Sequence, residues 1–266
     1  MDRSNRRYHD RVARRYDDVY DTPYWRFYRD LSWRHLLRFL PSARPAWAAD
    51  LGCGTGWFGR RLLRAGFDVV FLDPSGGMIQ ASRTAVETEG ARGHQTRYVQ
   101  TDLEHMEELE TGSLAFATAQ GDPLSFCEDP KLALRGLHRV MAPGGVAVLS
   151  VDNRIAGVRT VLDEGNLDGA LELLRTGRTA WRAQREGEAF PMKMFTPDEL
   201  KTILDRAGFD TLSCIAKTCL VQRRHEAWLE DVAVRKRLLG LEEGVSGDPA
   251  WLGVGSHLQV AARRRE

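Results

Sequence analysis

The segment Asp50-Leu51-Gly52-Cys53-Gly54-Thr55-Gly56 constrains this chain more than any other. A short apolar run, residues 46–51, leads into it, and an amphipathic pattern, residues 57–65, leads out. A glycine turn between a strand and a helix lets a ligand approach the backbone. It also aims free N–H groups and the positive helix end at that ligand. The glycines fall at 52, 54 and 56, so the third comes one position early for the Gly-x-Gly-x-x-Gly dinucleotide fingerprint. No Lys-Ser/Thr pair follows, which excludes a phosphate-binding loop of the nucleotide-hydrolase type. Asp50, at the end of the apolar run, disfavours a pyrophosphate and suits a cation.

Two further acids stand at the ends of the next strand candidates. Residues 68–72 are a β-branched run ended by Asp73, where a carboxylate can accept hydrogen bonds from both hydroxyls of a ribose. Residues 96–100 are a short strand with Asp102-Leu103 just beyond it, placed for an adenine amino group and an adenine face. Each Asp alone is ordinary turn chemistry. Ligands of open α/β sheets, however, bind beyond the carboxyl ends of the strands, and three acids at successive strand ends beside a glycine turn define one site.

The same alternation continues. Residues 114–118 and 146–151 read as strands, with a helix over 131–141 stopped by Pro143-Gly144-Gly145. It lapses from Asn153 to Met194, which reads as helix and loop without a strand. It resumes at Thr196-Pro197-Asp198-Glu199, with Thr196 as N-cap, Pro197 at N1 and Glu199 completing a capping box. Residues 211–216 and 257–263 are the last strands, and residues 8–40 form a helical, aromatic-rich lead-in. The pattern predicts an α/β sheet flanked by helices. At 266 residues, it divides into an N-terminal helical lid segment, 1–44, and one domain, 45–266, with an insertion at about 153–195.

Charge and cysteine usage narrow the setting. Lys and Arg total 38 against 37 Asp and Glu, so no net field draws the chain to nucleic acid or membrane. The arginine-rich ends, such as Arg263-Arg264-Arg265, read as solvated faces. Cys53, Cys127, Cys214 and Cys219 form no Cys-x-x-Cys pair and have no His at zinc-ligand spacing, so no metal site is expected. Reduced thiols, the lack of a signal-like stretch and the lack of an apolar run of about 18 residues predict a cytoplasmic protein.

These residues resemble the class I S-adenosylmethionine-dependent methyltransferases, in particular the small-molecule branch with the ubiquinone- and menaquinone-type enzymes. The resemblance covers residues 45–215 and, more weakly, both ends. Residues 50–56 are similar to the family's first motif, Asp73 to its ribose acid and Asp102-Leu103 to its adenine pair. Gly121-Asp122-Pro123-Leu124, Met141-Ala142-Pro143-Gly144-Gly145 and Phe195-Thr196-Pro197-Asp198-Glu199-Leu200 resemble later motifs. The resemblance implies a Rossmann-like three-layer fold with a seven-stranded, mostly parallel sheet, its last strand antiparallel, plus the N-terminal lid and a helical insertion after the fifth strand. It implies S-adenosylmethionine held by Tyr16, Asp50, Gly52, Gly54, Thr55, Asp73, Met78, Asp102, Leu103 and Gln120. The methyl group would pass by in-line displacement to O, N, S or C of a small-molecule acceptor.

Candidates for the acceptor side come from three places. Asp122 is either a general base or a turn former before Pro123. The loop it sits in lacks the Asn/Asp-Pro-Pro-aromatic pattern of enzymes that methylate nucleic-acid amino groups, so no nucleic acid is expected. Tyr16, Tyr20, Tyr24 and Trp25 either face the ligands, where aromatic faces favour a sulfonium, or pack into the core. Asn153 and Arg154 follow a strand end and either hold a polar acceptor or cap a helix. The insertion adds Trp181, Arg182, Arg185, Phe190, Met192 and Met194 as possible walls. The histidines, His257 among them, show no partner pattern and read as structural. RNA or protein methylation and a catalytically silent cofactor-binding subunit are the alternatives, and the oligomeric state stays open.

Overall fold

The computed structural model describes residues 2–91, 93–182 and 188–266; Arg185 lies outside them. The chain opens with three helices, α1 (Arg3–Val12), α2 (Tyr16–Tyr20) and α3 (Pro23–Leu37). Then β1 (Trp47–Leu51), α4 (Trp57–Arg64), β2 (Asp68–Leu72), α5 (Gly76–Glu89), β3 (Thr96–Val99) and β4 (Leu114–Ala119) follow. Next come α6 (Pro130–Val140), β5 (Met141–Asp152), α7 (Arg154–Asp163), α8 (Leu167–Thr176), β6 (Arg178–Arg182) and β7 (Ala189–Lys193). The chain closes with α9 (Pro197–Arg206), β8 (Phe209–Lys217), α10 (Val232–Ser246) and β9 (His257–Arg264).

Seven strands form one sheet in the order β3-β2-β1-β4-β5-β9-β8. The pairs among β1 to β5 are parallel, and β9 runs antiparallel to both its neighbours. Because side chains alternate along a strand, each strand feeds two cores. Ala48, Val69, Phe71 and Phe116 pack with Leu36 of α3, Leu62 of α4 and Val86 of α5. Ala49, Leu51, Val70 and Leu72 pack on the other face with Leu134 and Leu137 of α6 and Leu200 and Leu204 of α9. Helices therefore cover both faces, as a buried parallel sheet requires. Gly59 marks how closely α4 lies on the sheet, since a Cβ there would come within 2.2 Å of the Phe71 ring.

The capping box of α9 forms as expected, with Thr196 and Glu199 bonded reciprocally. The strand-free insertion does not. After α7 and α8 the chain makes the antiparallel hairpin β6–β7, in which Trp181 pairs with Phe190 and their rings stack 4.7 Å apart. Pro191 breaks the usual strand signature, and Phe190 and Met192 are buried while Ala189 and Pro191 are exposed. The helix expected over 131–141 ends at Val140. Pro143-Gly144-Gly145, read as its stop, lies inside β5, where the pairing with β4 shifts register. Among the described residues no helix is long and apolar enough to cross a membrane.

Candidate active site

The glycine turn leaves β1 with Gly52, Gly54 and Gly56 all at positive φ (69°, 52° and 79°). A Cβ at Gly52 would come within 2.5 Å of Pro123, in the loop after β4, so the two loops touch there. At Gly54, and at Gly121 beyond β4, an added Cβ would meet nothing within 4 Å. Asp73, just past β2, accepts hydrogen bonds from Gly54 N and Ser75 N, both at 2.9 Å. An ionised carboxylate has about four lone-pair sites, so two remain for hydroxyl donors. Burial raises Asp73 to about 6, against the lowering effect of those two amides.

Asp50 has a different part. Its Oδ2 accepts from Gly59 N at 2.7 Å, tying the end of β1 to α4, and burial pushes its carboxyl up to about 8. At neutral pH it is therefore mostly protonated. The bond from Gly59 N braces the turn from beneath, at the strand end where the carboxylate is expected to face a cationic ligand.

The N-terminal helices close over this end. Asp10 accepts from Ser75 Oγ at 2.7 Å and Gly77 N at 3.1 Å, and Thr55 Oγ1 donates to Asp17 at 2.7 Å. Tyr8, Val12 and Ala13 pack on Met78 of α5 and Phe190 of β7, with Tyr16, Phe126 and Trp181 at the margin. From there a row of rings runs inward: Tyr16 to Tyr20 at 4.5 Å, Tyr20 to Trp25 at 5.2 Å, Trp25 to Tyr28 at 5.4 Å, and Tyr28 to His257 at 5.0 Å.

The row ends at a group of charges, Asp122 and Lys217 buried and Asp152 and His257 half-buried. Asp122 follows β4, Asp152 ends β5, Lys217 ends β8 and His257 begins β9. Antiparallel pairing sets His257 opposite both Asp152 and Lys217. His257 Nδ1 lies 2.8 Å from Asp122 and 3.7 Å from Asp152, the shorter contact bent away from the ideal N–H direction. Lys217 Nζ donates to Tyr28 Oη at 2.6 Å and Ser32 Oγ at 3.2 Å. Ser150 Oγ accepts from Asp122 N at 3.1 Å, and Ser125 Oγ accepts from Asp152 N at 3.0 Å.

Electrostatics follow from this packing. Burial opposes ionisation of Asp122, but the charge and contact of His257 and the charge of Lys217 outweigh it and hold the carboxyl below its ordinary value. Burial likewise opposes protonation of His257, and Asp122 and Asp152 outweigh it, so the imidazole is raised. Asp152 is raised by burial and by the like charge of Asp122. Lys217 is lowered to about 8 by burial. Among the described residues, the two non-glycine residues at positive φ are Asp122 (67°) and Thr218 (59°), each at this cluster. Backbone strain of this kind concentrates at functional sites.

Comparison with known proteins accords with this geometry. Residues 48–145 match the family model described as "Methyltransferase domain". The malonyl-[acyl-carrier protein] O-methyltransferase of Salmonella typhimurium is 30% identical over 220 residues, covering 76% of this chain and 76% of that protein. The chain belongs to the class I S-adenosylmethionine-dependent methyltransferases. A second relative, the ubiquinone biosynthesis O-methyltransferase of Ruegeria pomeroyi, is 27% identical over 161 residues, 60% of this chain and 58% of that protein. The match to the malonyl-[acyl-carrier protein] O-methyltransferase of Erwinia pyrifoliae, 33% identical, spans 64% of this chain and little more than half, 55%, of that relative. A Methanosarcina mazei methyltransferase structure shares the fold with a TM-score of 0.62 at 18% identity, covering 87% of this chain and 97% of that one.

The residues of the methyltransferase suit its donor. The backbone at Gly54 and Gly121 borders open space, so a ligand can approach it closely. Gln120 Oε1 is a buried acceptor with no donor among the described residues, while its Nε2 donates to Val148 O at 3.0 Å. Leu103 is buried, and Asp102 beside it accepts from Glu104 N at 3.0 Å and lies 2.8 Å from His105 Nδ1.

Two expected acceptor residues have other roles. Asn153 Nδ2 donates to the carbonyls of Leu252 and Gly255, both at 2.8 Å, and its Oδ1 caps α7 at Ile155 N. Arg154 is buried in an ion pair with Glu199 and packs against Gly177. Both join the insertion to the sheet. Tyr24 is also largely a core residue, packed with Phe27, Leu31 and Val221.

His257, Lys217 and Asp152 are the site residues that sequence reasoning missed. A signal existed: in a mostly parallel sheet, the first residue of an antiparallel strand lies at the same end as the last residues of its neighbours. Ligand atoms of Asp122, Asp152 and His257 come within 4.8 Å of one another, so the fold assembles a metal-type donor set where sequence spacing showed none. Lys217 and a protonated His257 already match the two carboxylates.

Proposed function

We propose that this methyltransferase methylates a hydroxyl oxygen of a small, flat acceptor, with His257 as the general base. The observation that carries this reading is the buried His257–Asp122 pair at the carboxyl ends of the strands, next to the loop that begins with Gln120 and Gly121. S-adenosylmethionine, when bound, supplies an activated methyl group with a good leaving group. The chain then has to align the acceptor and take its proton.

Asp122 holds Nδ1 of His257, which leaves Nε2 to receive the acceptor's proton as the new O–C bond forms. Tyr28, raised well above its ordinary value by burial, stays protonated and orients Lys217. Tyr16, Tyr20 and Trp25 line the approach with ring faces and keep water out. A carboxylate acceptor needs no base, and the balanced charges of this cluster offer it no net attraction. A phenol or enol, in contrast, needs both a base and an apolar slot. The name of the ubiquinone biosynthesis O-methyltransferase points the same way, whereas the malonyl-[acyl-carrier protein] relative's acceptor carries a carboxylate, the rival that the test includes.

The test is transfer of labelled methyl from S-adenosylmethionine to a panel of ortho-substituted phenols and of acyl-thioester carboxylates. Turnover of phenols, falling about 100- to 10,000-fold in His257→Gln, is the expected result. Turnover of carboxylates alone, with His257→Gln fully active, would reject the base.

A further inference from the structure

Across α3 from the proposed catalytic cluster lies a cavity with its own chemistry. Tyr24, Tyr28 and Ser32 recur at helical spacing on the face toward Lys217 and His257. Arg26, Arg29 and Asp30 lie on another face, against a cavity of about 260 Å³ that also draws on Trp57 and Arg61 of α4 and Arg235 of α10. Three helices far apart in sequence thus bring four guanidinium groups to one place.

Their charge is under-compensated. Asp21 accepts two bonds from Arg26, at 2.8 and 2.7 Å, and a longer one from Arg29 at 3.3 Å. Asp30 approaches Arg61 only to 3.8 Å. Two carboxylates against four arginines leave a surplus of two positive charges. Arg29 Nε is shielded from solvent and has no acceptor. Arg61 is lowered by burial and by the like charges of Arg64, Arg29 and Arg60, with Asp30 opposing. The indole of Trp57 supports Arg61 at 3.9 Å and Arg29 at 5.3 Å, which holds both groups in place without neutralising them.

We infer that this cavity is an accessory binding site for a phosphoryl group, separate from the site of methyl transfer. A doubly charged oxyanion matches the surplus, and the planar forks of arginine suit phosphoryl oxygens in a way that a single carboxylate does not. Trp57 directly follows the glycine turn at Gly56, so the site shares α4 with the donor end.

Inorganic phosphate is the probe, titrated at about pH 8 as the dianion by calorimetry into the full chain at about 0.15 M salt, where long-range attraction is screened beyond roughly 8 Å. One saturable site is expected, weakened at least tenfold in Arg29→Gln and in Arg61→Gln. Arg34→Gln, a surface arginine paired with Glu243 outside the cavity, should bind as the parent does. Acetate at matched ionic strength should give no saturable heat. Should Arg29→Gln fail to fold, Arg26→Gln and Arg61→Gln carry the same comparison. Absence of saturable phosphate binding, or equal loss in Arg34→Gln, overturns the inference.

Discussion

At the scale of single residues, the account turns on His257 and the acid beside it. The imidazole accepts a proton only when neutral, and Asp122 holds it charged to a higher pH than usual. Rate should therefore rise with pH through an acidic limb placed above the ordinary imidazole value of about 6.5. In Asp122→Asn the limb should move to lower pH, because the charge that favoured protonation is gone. A pH profile of kcat/KM checks the direction, and an unmoved limb would detach His257 from catalysis. The same linkage acts on stability. A raised folded-state pKa contributes stability that is complete below the unfolded imidazole value and is lost as pH rises through the folded one. The difference in Tm between the parent and His257→Gln should accordingly shrink from pH 6 upward. None of this was legible from neighbouring residues, since positions 122, 152, 217 and 257 meet only once the sheet is assembled.

At the scale of elements, the strand–turn–helix unit was readable because everything that makes it is local. The apolar run, the three glycines and Asp50 are contiguous, and the positive φ values that Gly52, Gly54 and Gly56 adopt are those glycine tolerates. The function of Asp50 was not readable, because Gly59 N, its partner, is identified only by how α4 sits on the sheet. Its mostly neutral state makes Asn a close substitute. Asp50→Asn should thus cost under about 1 kcal/mol, whereas Asp50→Ala leaves the Gly59 N–H without an acceptor and should cost about 1–3 kcal/mol. Urea unfolding of the two variants separates them; equal losses would mean that the hydrogen bond is not what matters. The β6–β7 hairpin escaped notice for a related reason: Pro191 disguises a strand whose identity comes from burial of Phe190 under the lid.

At the scale of the whole molecule, the sheet places a donor end and a proposed acceptor end side by side at the carboxyl edge of the parallel strands. The N-terminal helices bridge the two. Asp10 and Asp17 fasten them to the donor end, and Tyr28 and Lys217 to the acceptor end. The helix that carries Tyr28 is anchored by Phe27, Leu31 and Leu36. At the donor end, the buried carboxylate of Asp73 is the group expected to hold the ribose. Calorimetric titration of S-adenosylmethionine into the parent and Asp73→Ala tests that role directly. Loss of two charge-assisted hydrogen bonds to a ribose predicts binding weaker by about 100-fold or more, with the parent binding one equivalent. Equal affinity in the two proteins would contradict the account.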